Sequence, residues 1–157
     1  MLRSKAPALL VLAWMSVHAA PSGEAPGSLY ERLGGQSGIE AIATTLIERV
    51  AHDPRLGRSF EGTNLRRIER HLADQLCELA RGPCHYSGDS MKEVHAGLHI
   101  SQAEFYGMVA VLEQILKERH VDLGATNALL ERLAPMKREV VEPAGAAVPA
   151  GLSRGTP

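Results

Sequence analysis

Rings are scarce in this chain: one Trp, three Tyr and two Phe make up 4% of its 157 residues. An interior so poor in aromatics must be built from Leu, Ile, Val and Met, and a large flat ligand would fill space that rings otherwise take. Alternation of apolar and polar residues is missing throughout, which excludes strands and leaves an all-α fold. There is no run of Lys or Arg and no interleaving of basic with aromatic residues, and the formal net charge is only -1. Nothing in that charge pattern suggests a nucleic-acid partner. No internal repeat is visible. With 45% hydrophobic and 22% charged residues, the composition suits one compact domain rather than a disordered or membrane-embedded chain.

The N-terminus reads as an export signal over residues 1–20. Arg3 and Lys5 supply the positive start and Ala6 to Ala19 the apolar stretch. Val17-His18-Ala19 or His18-Ala19-Ala20 offers a small-residue cleavage site. The stretch is too short for a comfortable permanent span, and no cysteine follows closely enough for a lipid anchor. An uncleaved tether is the alternative. The expected location is periplasmic or secreted, with no stable membrane insertion after cleavage. Residues 21–28 then form a spacer, 29–142 the folded domain, and 143–157, rich in Gly, Ala and Pro, a disordered tail.

Within the domain, apolar residues recur at helical spacing. Ile39, Ile42, Ala43, Leu46, Ile47 and Val50 mark one stripe, stopped by Asp53-Pro54. Leu65, Ile68, Leu72, Leu76 and Leu79 mark a second, between about Asn64 and Ala80. Ser101 and Glu104 form a capping box that opens the strongest stripe, Phe105, Met108, Val109, Leu112, Ile115 and Leu116. A last helix carries Leu129, Leu130, Leu133, Met136, Val140 and Val141, with a kink expected at Pro135. Turns fall at Gly34-Gly35, Gly57 to Thr63, Arg81 to Gly88 and Asp122 to Gly124.

Two histidines stand out. His95 lies in Met91-Lys92-Glu93-Val94-His95, where Met91, Val94 and Leu98 at helical spacing predict that its imidazole projects from the buried side. A neutral imidazole in an apolar pocket is a good iron ligand; a lone histidine on such a face is also common as a plain core residue. His71, beside Ile68 and Leu72 at the edge of its stripe, can approach the same pocket from the opposite side, so that two histidines bracket one flat cofactor. It can equally be a half-exposed residue that only covers the stripe. A zinc site is a further reading: His95 and His99 are four apart and could be joined by His71 or His85. Gly97 weakens the required helix, and Ala96 stands where a zinc hydrolase of the HExxH type needs glutamate. A helical interaction module without cofactor completes the alternatives.

Cys77 and Cys84 are the only cysteines. Cys77 is expected near a helix end and Cys84 just past the Gly82-Pro83 turn, so the chain can reverse and bring them together. Export makes oxidation possible. Closing so small a loop contributes roughly 2 to 3 kcal/mol. Cys84-His85 is superficially like a c-type haem attachment, but the usual cysteine spacing is two residues and His85 would compete with His95.

The order of motifs resembles the group I truncated haemoglobins over roughly Leu29 to Glu142. The matching elements are Leu29-Tyr30-Glu31-Arg32-Leu33-Gly34-Gly35, then Arg49-Val50 with Asp53-Pro54-Arg55-Leu56, then Phe60 before Gly62-Thr63-Asn64. Gly82-Pro83 before Tyr86-Ser87-Gly88 and Met91-Lys92-Glu93-Val94-His95 complete the series. The resemblance implies a two-over-two helical sandwich around haem b, with His95 the proximal ligand and Met91, Ile47, Ile68, Leu72 and His71 among the residues that contact the cofactor. It also implies Phe60 stacked on the porphyrin and Tyr86 and Lys92 near the propionates, where a lysine and a phenol can pair with carboxylates.

Departures fall where ligand chemistry is decided. Many members carry a distal tyrosine whose hydroxyl donates to bound dioxygen; Ile47 matches that position here. Ile68 and Leu72 match positions that often hold glutamines. His71 is then the only evident polar neighbour of a bound gas, which argues against tight oxygen storage. It matches a position from which some members bind iron as a sixth ligand. In one reading His71 and His95 both coordinate, with redox or electron-transfer chemistry on nitric oxide or a related ligand and an unidentified electron donor. In the other, His71 stays off the iron and the pocket is an open site for oxygen, nitric oxide or carbon monoxide.

Overall fold

Three helices begin with the same device, a serine whose hydroxyl accepts from the amide three residues on while the Glu there reaches back to the serine amide. In the computed structural model, which describes residues 27–142, these boxes are Ser28/Glu31, Ser90/Glu93 and Ser101/Glu104. They open α1 (Leu29–Arg32), α4 (Met91–His95) and α5 (Gln102–Glu118). Only the third was read from sequence, because the first two start helices too short to carry a periodic stripe. The expected signal peptide, most of the spacer and the expected tail lie outside the described residues.

The remaining helices are α2 (Gly35–His52), α3 (Leu65–Leu79), α6 (Leu123–Leu133) and α7 (Lys137–Val140), with 3-10 turns at Gly57–Phe60 and Ala134–Met136. Gly34 and Gly35, with φ of 91° and 62°, make the left-handed turn between α1 and α2 that a side chain would strain. Asn64 caps α3 by accepting from the Arg67 amide at 3.1 Å, and Asp122 caps α6 through the Ala125 amide at 3.0 Å. The last helix breaks at Pro135 into the 3-10 turn, as its missing amide requires.

α2 is the spine, packed against both α3 and α5. Its six expected stripe residues, Ile39, Ile42, Ala43, Leu46, Ile47 and Val50, are all buried. They share one core with Leu76 and Cys77 of α3, Leu112, Ile115 and Leu116 of α5, and Ala125 and Leu129 of α6. Each fully buried Leu or Ile contributes about 1.5–3 kcal/mol, against about 0–1 for an exposed ion pair. The layers are therefore held by apolar packing, and the charged pairs fix their register. No helix among the described residues is long and apolar enough to cross a membrane.

Arg32 of α1 pairs with Asp122 at the start of α6, and Arg49 of α2 with Glu118 of α5 at 2.6 Å. Arg58 does more. Its guanidinium meets Glu104 at 2.6 Å and donates at 2.8 Å to the carbonyls of both Leu98 and His99. The Arg58 hydrogen bond, helped by Ser101, holds the Glu104 carboxyl at about 2, and Arg32 with the Ala125 amide does the same for Asp122. Both carboxylates are depressed, so their contribution is complete above their ordinary values of 4.5 and 3.8 and is lost as pH falls towards 2. Thermal melts should show a midpoint that drops through this acid window. Glu104→Gln should lower the midpoint at neutral pH and flatten the acid limb; a limb of undiminished size would remove Glu104 from the account.

Candidate functional site

His95 ends α4, the five-residue helix opened by the Ser90 cap. Its Nδ1 lies 2.8 Å from the Met91 carbonyl oxygen. A carbonyl only accepts, so the proton sits on Nδ1 and the Nε2 lone pair is left for a metal. The side chain is half-buried. The face predicted around it is corrected: Val94 is 42% exposed, and Leu98 lies beyond the helix. The helix stops because Gly97 and His99 turn left-handed, at φ of 77° and 51°, and Arg58 captures the carbonyls of Leu98 and His99.

That early stop separates His95 from His99. His99 instead pairs with Glu142 at 2.7 Å, and His85 with Glu78 at 2.9 Å. Glu142 also accepts from the Gly97 amide at 2.9 Å. The zinc geometry expected from the four-residue spacing is thus absent, and no three metal-binding side chains cluster among the described residues.

His71 sits on α3, half-buried, and its Nδ1 is buried with no hydrogen-bond partner. Its Nε2 lies 3.5 Å from Arg67 Nε, the outer limit of a hydrogen bond. A buried polar nitrogen left without a partner costs about 1–3 kcal/mol. The ring stands edge-on to Tyr86, centroids 6.3 Å apart and planes at 80°. Tyr86 turns its hydroxyl away to donate to the Asp89 carbonyl at 2.8 Å, and burial, with Asp89 adding, pushes its pKa up. The phenol expected to serve carboxylates is engaged within its own loop. Lys92 is exposed and has no ion-pair partner among the described residues.

Phe60, Ile68 and Leu72 are partly buried against the core, and Met91 is half-buried. Ile47 is 1% exposed, packed inside α2's core face. Sequence reading missed Gln75. This amide is buried at 8% exposure, and its Nε2 meets only thioethers, Met91 Sδ at 3.3 Å and Met136 Sδ at 3.9 Å. It lies four residues beyond His71 and seven beyond Ile68, which was signal enough to find it. His71 is therefore not the only polar group on that face. Elsewhere two hollows, of about 390 and 310 Å³, are lined by Arg49, Asp53 and Gln114 and by Glu40, Glu69 and Arg70 among others, with no histidine.

Cys77 and Cys84 are joined in the structure, with Cα atoms 5.8 Å apart. Gly82 lets this hairpin close: a Cβ there would run into the Tyr30 ring and Cys77 Sγ.

Layered helices around an α2 spine, with one imidazole on the short α4 and another on α3, suit a protein of globin type. A model of the bacterial-like globins matches residues 28–142, and the chain belongs to that family, among its group 1 truncated haemoglobins. It is 33% identical to the group 1 truncated haemoglobin of Nostoc commune over 114 residues, 73% of this chain and 97% of that one. The group 1 truncated haemoglobin of Tetrahymena pyriformis is 31% identical over 109 residues, covering 69% and 87%. Its ferric crystal structure superposes with a TM-score of 0.69 at 26% identity, covering 73% of this chain and 98% of that one. Proteins of this family hold haem and bind diatomic gases.

Proposed function

We propose that this globin holds haem b between His95 and His71 and serves redox or electron-transfer chemistry with a diatomic ligand, nitric oxide foremost, supplied with electrons by a partner not yet identified. The observation that carries this is the pair of ring nitrogens: His95 directs its Nδ1 proton to Met91 and keeps Nε2 basic, while buried His71 Nδ1 has no partner. The residues fit the group. Phe60, Ile68, Leu72 and Met91 offer apolar surface to a flat ring, with Ile47 behind them, and Lys92 is free for a carboxylate. Tyr86 contributes its ring as a side wall. The iron, when bound, supplies the gas affinity and the one-electron chemistry. The Met91 carbonyl orients the His95 imidazole, the apolar side chains would exclude water, and His71 would be the second residue to hold the group.

A second reading, an open five-coordinate gas site, draws on the Arg67 contact, which turns His71 Nε2 along the helix rather than inward. Absorbance spectra of the full-length protein loaded with iron protoporphyrin decide between them. Low-spin six-coordinate bands in both oxidation states are expected, a high-spin ferrous spectrum supports the open site, and no Soret band sinks both. Export to the periplasm or beyond belongs to the same proposal, resting on Arg3, Lys5 and the apolar stretch that follows, and on a cysteine pair placed to oxidise there.

A further inference from the structure

The loop between α3 and α4 grips one residue from both ends. Cys84, tied back to Cys77 on α3, stands two residues before Tyr86. Gly88 stands two residues after, and a Cβ there would lie 2.5 Å from the Tyr86 hydroxyl. The hydroxyl is anchored on Asp89, and the ring edge meets His71. α3 itself carries both His71 and Cys77, so the disulfide fixes Tyr86 to the same rigid helix that presents the histidine.

We propose that Tyr86 is a positioning residue for His71, its ring held against the imidazole by the Cys77–Cys84 disulfide, so that the oxidation state of this cysteine pair sets how firmly His71 occupies the sixth site. This rests on the reading that His71 coordinates iron. With the disulfide closed, the ring wall is ordered in advance and His71 has few orientations to lose on binding. A small dithiol reverses this: it gives two electrons and two protons, the Cys77–Cys84 bond becomes two thiols, and the dithiol becomes a disulfide. The loop is then free to draw Tyr86 away, and the sixth site opens more often.

The test is carbon monoxide association to the full-length ferrous haem protein, since that ligand must wait for His71 to leave. Tyr86→Leu, and separately the pair Cys77→Ser with Cys84→Ser, should bind roughly two- to tenfold faster than wild type, the range an edge-on ring pair is worth. Dithiol should speed wild type to the same degree and leave the serine pair unmoved. Tyr86→Phe should recover the slow binding that Tyr86→Leu loses, which a role for the hydroxyl would not allow. If Tyr86→Leu binds at the wild-type rate while His71→Leu binds faster, the positioning role is overturned and coordination stands. If His71→Leu is also unchanged, coordination falls and takes this proposal with it. Retained haem stoichiometry and helical circular dichroism separate either result from unfolding.

Discussion

His95→Ala should lose haem. Its Nε2 is the one proximal bond available in either functional reading, and the Met91 carbonyl that orients it has no other imidazole to offer. Removing an outer partner of a metal ligand typically costs roughly 10- to 100-fold in affinity, so loss of the ligand itself should exceed that. Transfer to apomyoglobin, followed by absorbance, measures it directly: the variant should surrender its haem far faster than wild type. The fold should survive, because α4 is short and His95 is outside the buried core. Stoichiometric haem with an unchanged spectrum would reassign the proximal ligand.

Leucine at position 71 is the second large change. It fills the same apolar edge beside Ile68 and Leu72, relieves the unpartnered Nδ1, and removes the sixth ligand that the proposal requires. The ferrous protein should turn from low-spin to high-spin, and carbon monoxide should associate faster without waiting for an imidazole to depart. Stability should hold or rise slightly, since a buried polar atom without a partner is removed. Gln75 then becomes the nearest buried amide on that helix face. A wild-type ferrous protein that is already high-spin, with no change in His71→Leu, places His71 at the pocket's rim and leaves the open gas site.

Long helices were readable because periodicity accumulates. The α2 stripe from Ile39 to Val50 is buried residue for residue, and the Ser101 cap and the Pro135 break fall where their chemistry requires. Short elements gave no such signal. In α4 the Met91–Val94–Leu98 pattern was projected onto a helix that Gly97 ends, so Val94 faces solvent and His99 serves Glu142. Gln75 went unread for the opposite reason: it sits inside a convincing apolar stripe, where a polar residue is easily assigned to the outer face. Arg58 shows a third limit. One guanidinium satisfies two carbonyls and a carboxylate that lie about forty residues further along the chain, and no local pattern encodes such a partner.

Glu142 closes the bend after His95 from far along the chain. Its carboxylate takes the Gly97 and His99 amides and the His99 ring, and its own amide donates to Ile100 at 3.1 Å. Burial works to raise its pKa, yet those partners outweigh it and leave the group ionised further into acid. The last described residue is thereby a splint for the bend that follows His95. A chain cut just before Glu142 would keep every long helix and still leave the bend after His95 unbraced, so any unit meant to hold His95 steady has to include residue 142.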